Sequence, residues 1–252
     1  MKSEQLPVFS PQGYSAILKY AISEGFSFIT FSEKDNTKGS NNKSCLMRHD
    51  IDTSLKCALE MGEVEAKQGV RATYFLMLRS PAYNLFSRYA FDVINRLKEL
   101  GHEIALHFDA AHPAAIDRNI NDAVLEDVRT LSLLSNVEVK TVSFHQPSFD
   151  ILKGDLKIEH LINTYNKSQM DGWYYCSDSN RVWKKHNALS VFEEGRYSKV
   201  QILIHPIWWM YSDRLIEDAW DKAIVDNFKI MQQQFLDTEG AYGSERKFFA
   251  ER

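Results

Sequence analysis

A regular alternation of short apolar strands with amphipathic helices most constrains what this chain can fold into. Runs such as 72–78 and 200–204 are rich in apolar, β-branched and aromatic residues, as strands are. Between such runs, segments such as the one that begins at Thr53 and ends near Gly69 carry apolar residues at helical spacing. The alternation predicts a parallel sheet with helical crossovers, either doubly wound or closed into a barrel.

The predicted elements fill one domain that spans residues 1–252, a length that suits a single α/β barrel. Strands are predicted at 26–31, 45–47, 72–78, 103–106, 139–144, 173–176 and 200–204, and further helices at 15–23, 90–97, 116–131 and 213–235. A polar loop is predicted at 33–43, a motif-bearing core at 44–209 and a polar tail at 237–252.

Composition and charge exclude several classes of protein. The chain has 30 Lys and Arg against 34 Asp and Glu, a net charge of −4, so it lacks the basic surface that nucleic-acid binding requires. Its three cysteines have no CxxC spacing, and no segment resembles a secretory leader or a membrane-spanning run. No glycine-rich phosphate loop follows a predicted strand. We therefore expect a cytoplasmic protein with reduced thiols, no membrane span and no nucleic-acid partner.

Acidic and imidazole side chains follow five of the predicted strands. The carboxyl ends of parallel strands open on one face of a sheet, where active sites are built. These residues are His49, Asp50, Asp52, His107, Asp109, His112, His145, Asp178 and His205. Their common position predicts a catalytic site at that face.

Asp50 and Asp52 suit metal-assisted hydrolysis. One carboxylate can bind a metal while the other accepts the proton of the attacking water. Alternatively, both acids favour the dipole at the start of the following helix. His107 is predicted as an imidazole ligand, and His112, or Asp109 in its place, as the next. One Asp and two His leave an open position for water, as catalytic zinc sites do.

His205 precedes a proline and two tryptophans at the end of its predicted strand. It is a candidate general acid for the leaving group, and the alternative is a structural imidazole. Trp208 and Trp209 are candidates for the walls of the cleft, although aromatic residues at such positions also serve as core.

Four segments, in this order, resemble motifs of the polysaccharide deacetylase (NodB-homology) family. They are 46–52 (Leu-Met-Arg-His-Asp-Ile-Asp), 72–75 (Ala-Thr-Tyr-Phe), 101–107 (Gly-His-Glu-Ile-Ala-Leu-His) and 204–206 (Ile-His-Pro). The resemblance is greatest to the branch whose first motif reads His-Asp-Val-Asp, some of whose members are encoded with surface-polysaccharide genes in bacteria. It implies a distorted, incomplete (β/α) barrel and metal-dependent hydrolysis of an N-acetyl group.

The resemblance also implies roles for single residues. Asp50 matches the general base, and Asp52 matches the metal carboxylate. His107 matches the first metal imidazole, and His112 is the nearest candidate for the second. His205 matches the general acid.

Further positions correspond to the family's third and fourth motifs. Asp178 matches the residue that orients the catalytic histidine, and His145 stands where the family has an arginine beside its base. His145, Trp183 and Trp208 are the predicted substrate-binding residues. Two features depart from the family, because the imidazoles of the second motif are five residues apart instead of four and the third-motif arginine is missing.

The leading hypothesis is therefore a metal-dependent hydrolase that removes an N-acetyl group from a sugar or polysaccharide precursor, in a context such as O-antigen or lipopolysaccharide biosynthesis. Its cofactor is a divalent metal, with zinc preferred because a mixed oxygen and nitrogen shell suits it. Two alternatives stay open: an amidase on a ureide or cyclic amide, and a non-catalytic carbohydrate-binding barrel, which the two departures favour. The expected partner is a small-molecule or oligosaccharide substrate, and the sequence predicts no oligomeric state.

Overall fold

The computed structural model describes residues 7–37, 42–115, 118–153, 156–212 and 215–242. Its centre is a sheet of eight parallel strands. They are β1 (Ser27–Ile29), β2 (Ser44–Ile51), β3 (Thr73–Leu76), β4 (Glu103–Asp109), β5 (Thr141–His145), β6 (Ile162–Asn163), β7 (Tyr174–Ser177) and β8 (Lys199–Ile204).

The strand order β6-β5-β4-β3-β2-β8-β7 places β2 inside the sheet, hydrogen-bonded to β3 on one edge and β8 on the other. The short β1 pairs with residues 44–46 of β2, below the stretch 48–51 that pairs with β3. Within the described residues, the two end strands β6 and β7 do not pair with each other. The sheet therefore stays open, and the predicted incomplete (β/α) barrel is confirmed.

Helices connect and cover the strands. They are α1 (Pro11–Ser23), α2 (Leu55–Ala66), α3 (Arg88–Glu99), α4 (His112–Ala115), α5 (Ile120–Ser135), α6 (Phe149–Leu152), α7 (Ala188–Glu194), α8 (Pro206–Met210) and α9 (Ile216–Thr238). Side-chain caps start several of them: the Ser54 hydroxyl accepts the Cys57 N–H at α2, and the Ser87 hydroxyl accepts the Ala90 N–H at α3. No helix in the described ranges is both long enough and apolar enough to cross a bilayer.

Both faces of β2 are covered, because all eight of its residues are buried. Leu46 joins a small interior cluster with Phe31, Phe75 and Ala105. Residues 45, 47 and 51 face the other way, into the large core shared with the helices. Side chains alternate along a strand, so Arg48 and Asp50 share the interior face with Leu46.

The structure corrects several predicted boundaries. The strand predicted at 45–47 is too short, since β2 continues to Ile51 and only Asp52 follows it. In the sequence, Arg48, His49 and Asp50 interrupt the apolar run and so predict the end of the strand. In the structure these side chains are buried, because each has a polar partner. The loop predicted at 33–43 contains part of a 3-10 helix, Phe31–Thr37, and the short elements α4, α6, α7, α8 and β6 were not predicted.

The two long predicted helices are displaced by a few residues. The helix expected at 116–131 is α5 at 120–135, and the one expected at 213–235 is α9 at 216–238. Residues 116–117, 213–214 and most of the predicted tail, from 243 onward, lie outside the described residues.

Candidate metal centre and active site

Three side chains from β2, β4 and β5 converge at the carboxyl end of the sheet. Asp52 follows β2, His107 belongs to β4 and His145 ends β5. Asp52 Oδ1 lies 3.0 Å from His107 Nε2 and 3.3 Å from His145 Nδ1. Among the described residues these three can each offer one ligand atom to a common ion, with the atoms within 4.8 Å of one another.

The orientation of these atoms fits a metal better than a hydrogen-bonded cluster. Asp52 Oδ1 is buried and makes no well-formed hydrogen bond, despite two ring nitrogens within 3.3 Å. The three atoms thus surround a shared point without well-formed hydrogen bonds to Asp52 Oδ1, as the ligands of a single ion would. One carboxylate and two imidazoles are typical ligands of catalytic zinc and leave an open coordination position.

Charge within the cluster matches this arrangement. Burial alone would raise the pKa of Asp52, but His107 and His145 outweigh it and hold that pKa well below its usual value. Conversely, Asp52 raises the pKa of His145. The carboxylate is therefore ionised at neutral pH and available to a cation.

His112, the predicted second imidazole, is not brought to this group. It lies in α4, where its charge acts on Asp127 of α5. Asp109, the predicted substitute, accepts a hydrogen bond from the Ala111 N–H instead. The structure places His145 beside Asp52 and His107. His145 was predicted to bind substrate, and it lies where His112 was expected.

The register of β4 with β5 explains why His145 is there. His107 pairs with Ser143, and Asp109 pairs with His145, so the side chain of His145 reaches the same end of the barrel interior. This juxtaposition depends on pairing between strands that are far apart in the chain. Spacing within one motif could not show it.

Asp50, the predicted general base, is held by an arginine. Arg48 donates from Nε to Oδ1 and from Nη2 to Oδ2 of Asp50, both at 2.8 Å. Burial alone would raise the pKa of Asp50, but Arg48 and then His107 lower it. Thr164 and Tyr165 also contact the guanidinium, each at 3.1 Å.

The arginine expected from the third motif is missing, since His145 stands there, but a different arginine accompanies Asp50. Arg48 reaches this carboxylate from the same strand. The signal was present in the sequence, because residues 48, 50 and 52 alternate onto one face of a strand. It was missed because β2 was predicted to end at Met47.

His205 is paired with Asp178, as the resemblance implied. His205 Nδ1 lies 2.7 Å from Asp178 Oδ1, and the His205 backbone N–H also donates to this carboxylate. Trp209 Nε1 donates to Asp178 Oδ2 at 2.8 Å, so Trp209 positions the carboxylate instead of forming a cleft wall. Burial would lower the pKa of His205, but Asp178 raises it to about 9.

A small cavity joins Asp50, Asp52 and His205, the predicted base, metal carboxylate and acid. Its lining includes Asp50, Asp52 and His205, together with Trp208 of α8 and Trp220 of α9. Trp208 therefore lies where a substrate-binding residue is needed. Trp183 is not part of this lining and packs instead against the rings of Phe9 and Trp209.

A larger groove of about 630 Å³ lies between α9 and the segment that precedes α3. Its lining, which includes Tyr83, Phe228 and Met231, contains no acidic, basic or imidazole side chain. By size, this groove would be the first candidate for an active site, but it offers no group for acid–base or metal chemistry. The cluster at the strand ends is therefore the candidate active site.

Behind β2, a second buried polar cluster escaped the sequence analysis. Glu65 of α2 contacts His49 Nε2 at 2.7 Å and accepts hydrogen bonds from the hydroxyls of Tyr14 and Tyr74. His49 Nδ1 lies 3.2 Å from the Ile204 carbonyl oxygen. His49 thus faces away from the site and ties β2 to α2 and β8.

Comparisons with known proteins find distant structural similarity only. No protein-family model and no curated protein matches the chain. A CE4-family pseudoenzyme from Bacillus anthracis is 13% identical over 75% of this chain, with a TM-score of 0.42. A mutant of a CE4-family pseudoenzyme, with restored enzymatic activity, is 14% identical over 75%, with a TM-score of 0.41.

The peptidoglycan deacetylase PdaC from Bacillus subtilis, in a mutant form, is 16% identical over 79% of this chain and 98% of its own, with a TM-score of 0.38. The chain spans only 61% and 64% of the two pseudoenzyme chains. At such low sequence identity and structural similarity, the chemistry of this site has to be inferred from its own residues.

Proposed function

We propose that this protein is a metal-dependent hydrolase that removes an N-acetyl group from a sugar or polysaccharide precursor. One observation carries the proposal: Asp52 Oδ1 is buried without a hydrogen bond between two imidazole nitrogens, and a paired base and a paired acid line the adjoining cavity. The resemblance of the motif-bearing segments to polysaccharide deacetylases supplies the substrate class.

Asp52, His107 and His145 would hold the metal. Zinc suits one oxygen and two nitrogen ligands with an open position. When bound, such an ion polarises the acyl carbonyl and lowers the pKa of the attacking water.

Asp50 acts as the general base. Its carboxylate stays ionised because Arg48 lowers its pKa, so it can accept a proton at neutral pH. Arg48 also fixes the plane of the carboxylate through two parallel hydrogen bonds. The base is therefore oriented before substrate arrives.

His205 acts as the general acid. With a pKa of about 9, its imidazole carries a proton at neutral pH and can donate it to the departing amine. Asp178 holds the ring through Nδ1, which leaves Nε2 as the donating atom. Asp50 and His205 line one cavity, so proton removal and proton delivery take place at the same bound amide.

Trp208 and Trp220 support a small acyl group in this cavity. Their rings meet edge to face, with centroids 6.0 Å apart, and both line it. The expected substrate is a small N-acetylated sugar or an oligosaccharide, and the three buried free cysteines suit a cytoplasmic protein.

Metal analysis of matched variants tests the assignment of ligands. Purified protein is stripped with a chelator, reloaded with zinc and analysed by elemental analysis. We expect stoichiometric zinc in the wild type and in His112→Ala, and little zinc in His145→Ala, because only His145 faces Asp52 and His107. Equal zinc in the two variants would contradict the assignment.

Acetate release from a panel of N-acetylated sugars, beside ureides and cyclic amides, tests the substrate class. Activity on the sugars that is lost in Asp50→Asn supports the proposal. The non-catalytic alternative relied partly on a missing arginine, and the Arg48–Asp50 pair removes that support. Zinc binding without turnover of any panel member would favour the non-catalytic barrel.

A further inference from the structure

Ser143 lies between the proposed base and a proposed metal ligand. It belongs to β5 and is fully buried. Its Oγ lies 2.7 Å from His107 Nδ1 and 3.4 Å from Asp50 Oδ1. The same hydroxyl thus contacts the ring that faces Asp52 and the carboxylate that accepts the proton.

The chemistry of these partners indicates the direction of the hydrogen bonds. An ionised carboxylate can only accept, so the 3.4 Å contact between Ser143 Oγ and Asp50 Oδ1 is a hydrogen bond only if Ser143 donates its single proton there. The Ser143 oxygen then accepts from His107, which places the ring proton of His107 on Nδ1. His107 Nε2 is left with a lone pair, directed to the point it shares with Asp52 and His145.

The opposite arrangement fits the geometry poorly. If Nδ1 accepted from Ser143, a neutral His107 would carry its proton on Nε2, 3.0 Å from Asp52 Oδ1. The ring is not oriented for a well-formed hydrogen bond to Asp52 Oδ1, so an Nε2 proton would approach this carboxylate without forming one.

Ser143 also makes the two oxygens of Asp50 unequal. Oδ1 accepts from Arg48 Nε and from Ser143, whereas Oδ2 accepts only from Arg48 Nη2. A carboxylate oxygen has two lone-pair sites. Oδ1 therefore has two contacts, of which the one with Ser143 is long at 3.4 Å, whereas Oδ2 keeps a site for a further proton.

We propose that Ser143 is a positioning residue that holds His107 in the Nδ1-protonated tautomer and directs the base to act through Oδ2 of Asp50. The proposal rests on the proposed function, because it assigns His107 Nε2 to a metal. It requires no contact between Ser143 and substrate.

Nitrogen-15 NMR of the zinc-loaded wild-type protein tests the tautomer without any substitution. We expect the His107 ring to show a protonated Nδ1 and a metal-bound Nε2. A proton on Nε2, or zinc bound through Nδ1, would overturn the proposal.

Zinc affinity of Ser143→Ala provides the second test, by competition with a chromophoric chelator. Loss of such an outer partner of a metal-binding imidazole typically weakens metal binding about 10- to 100-fold, which is the loss we expect. The matched control is Thr141→Val, which removes another fully buried hydroxyl from the same strand, one that donates to Glu103. The control should bind zinc as the wild type does.

His145→Ala separates this proposal from the proposed function. If the wild type binds zinc, His145→Ala loses it and Ser143→Ala keeps full affinity, only the role of Ser143 is refuted. If the wild type binds no zinc, the proposed function fails and the role of Ser143 fails with it. An equal loss of zinc in Ser143→Ala and Thr141→Val would show a general structural effect and would also refute the specific role.

Discussion

Arg48 and Asp50 form a buried ion pair that lowers the pKa of Asp50, the proposed base. Arg48→Lys keeps the positive charge but cannot make two parallel hydrogen bonds to one carboxylate. The pKa of Asp50 is lowered by Arg48, so weakening the contact raises it. Because the base must be ionised, we expect the acidic limb of the kcat/KM–pH profile to move to higher pH, with a reduced plateau.

The control for this prediction is Arg71→Lys. Arg71 pairs with Glu33, and its side chain is 46% exposed, so the lysine can replace it at little cost. The control should keep the wild-type profile. An unchanged acidic limb in Arg48→Lys would show that the pair does not tune the base.

Asp178 sets the other limb of the profile. It raises the pKa of His205 to about 9, so the acid stays protonated at neutral pH and activity should fall as the pH rises through that value. Asp178→Asn removes the charge that favours the imidazolium. We expect the alkaline limb to move down toward the ordinary histidine pKa of about 6.5, measured as kcat/KM against pH. An alkaline limb that stays near 9 would mean that another group supplies the proton.

At the scale of elements, β2 carries buried polar contacts on both faces. Arg48 and Asp50 point into the barrel, while His49 points out to Glu65 of α2. Glu65 also accepts from the hydroxyls of Tyr14 and Tyr74. Glutamine keeps one acceptor oxygen and replaces the other by an NH2 group, so a buried partner loses its acceptor, which costs about 1–3 kcal/mol. We expect Glu65→Gln to lower the free energy of unfolding by that amount, measured by urea denaturation.

Glu63→Gln is the matched control on the same helix. Glu63 pairs with Arg96 at the surface. The Glu63 side chain is 35% exposed and the Arg96 side chain 46%. Such pairs contribute about 0.2–1 kcal/mol. Similar losses in the two variants would contradict the assignment of a buried pair to Glu65.

The contribution of Glu65 also depends on pH. Its pKa in the fold is lowered, since His49 outweighs the effect of burial. The stabilisation is therefore fully present above the pKa of an unfolded glutamate, about 4.3, and is lost as the pH falls through the lower folded value. In Glu65→Gln this part of the acid sensitivity should disappear.

The elements that the sequence predicted well are those with a long periodic pattern. Strand–helix alternation predicted the parallel sheet, and α3 and α5 were found within a few residues of their places. β2 was cut short because Arg48, His49 and Asp50 interrupt an apolar run. Their partners, such as Glu65, are distant in sequence, so local pattern carries no sign that these charges are buried.

At the scale of the whole molecule, the candidate site is assembled from strand ends that the topology brings together. The sequence placed Asp50, Asp52, His107 and Asp178 near one another because parallel strands share an orientation. It did not predict that His145, and not His112, lies beside Asp52 and His107, since that depends on how β5 lies against β4. The fold class explains why these groups are close together, and the strand register explains which histidine joins the cluster.

The alternation of side chains along β2 has a consequence for comparing this chain with distant ones. Deleting a single residue inside the strand would turn Arg48 and Asp50 toward the helices and His49 toward the interior. Each of these side chains would then be buried without its polar partner. An alignment that opens a gap within Ser44–Ile51 is therefore incompatible with this architecture, and the length of this strand is a stricter criterion of relatedness than the identity of any one residue in it.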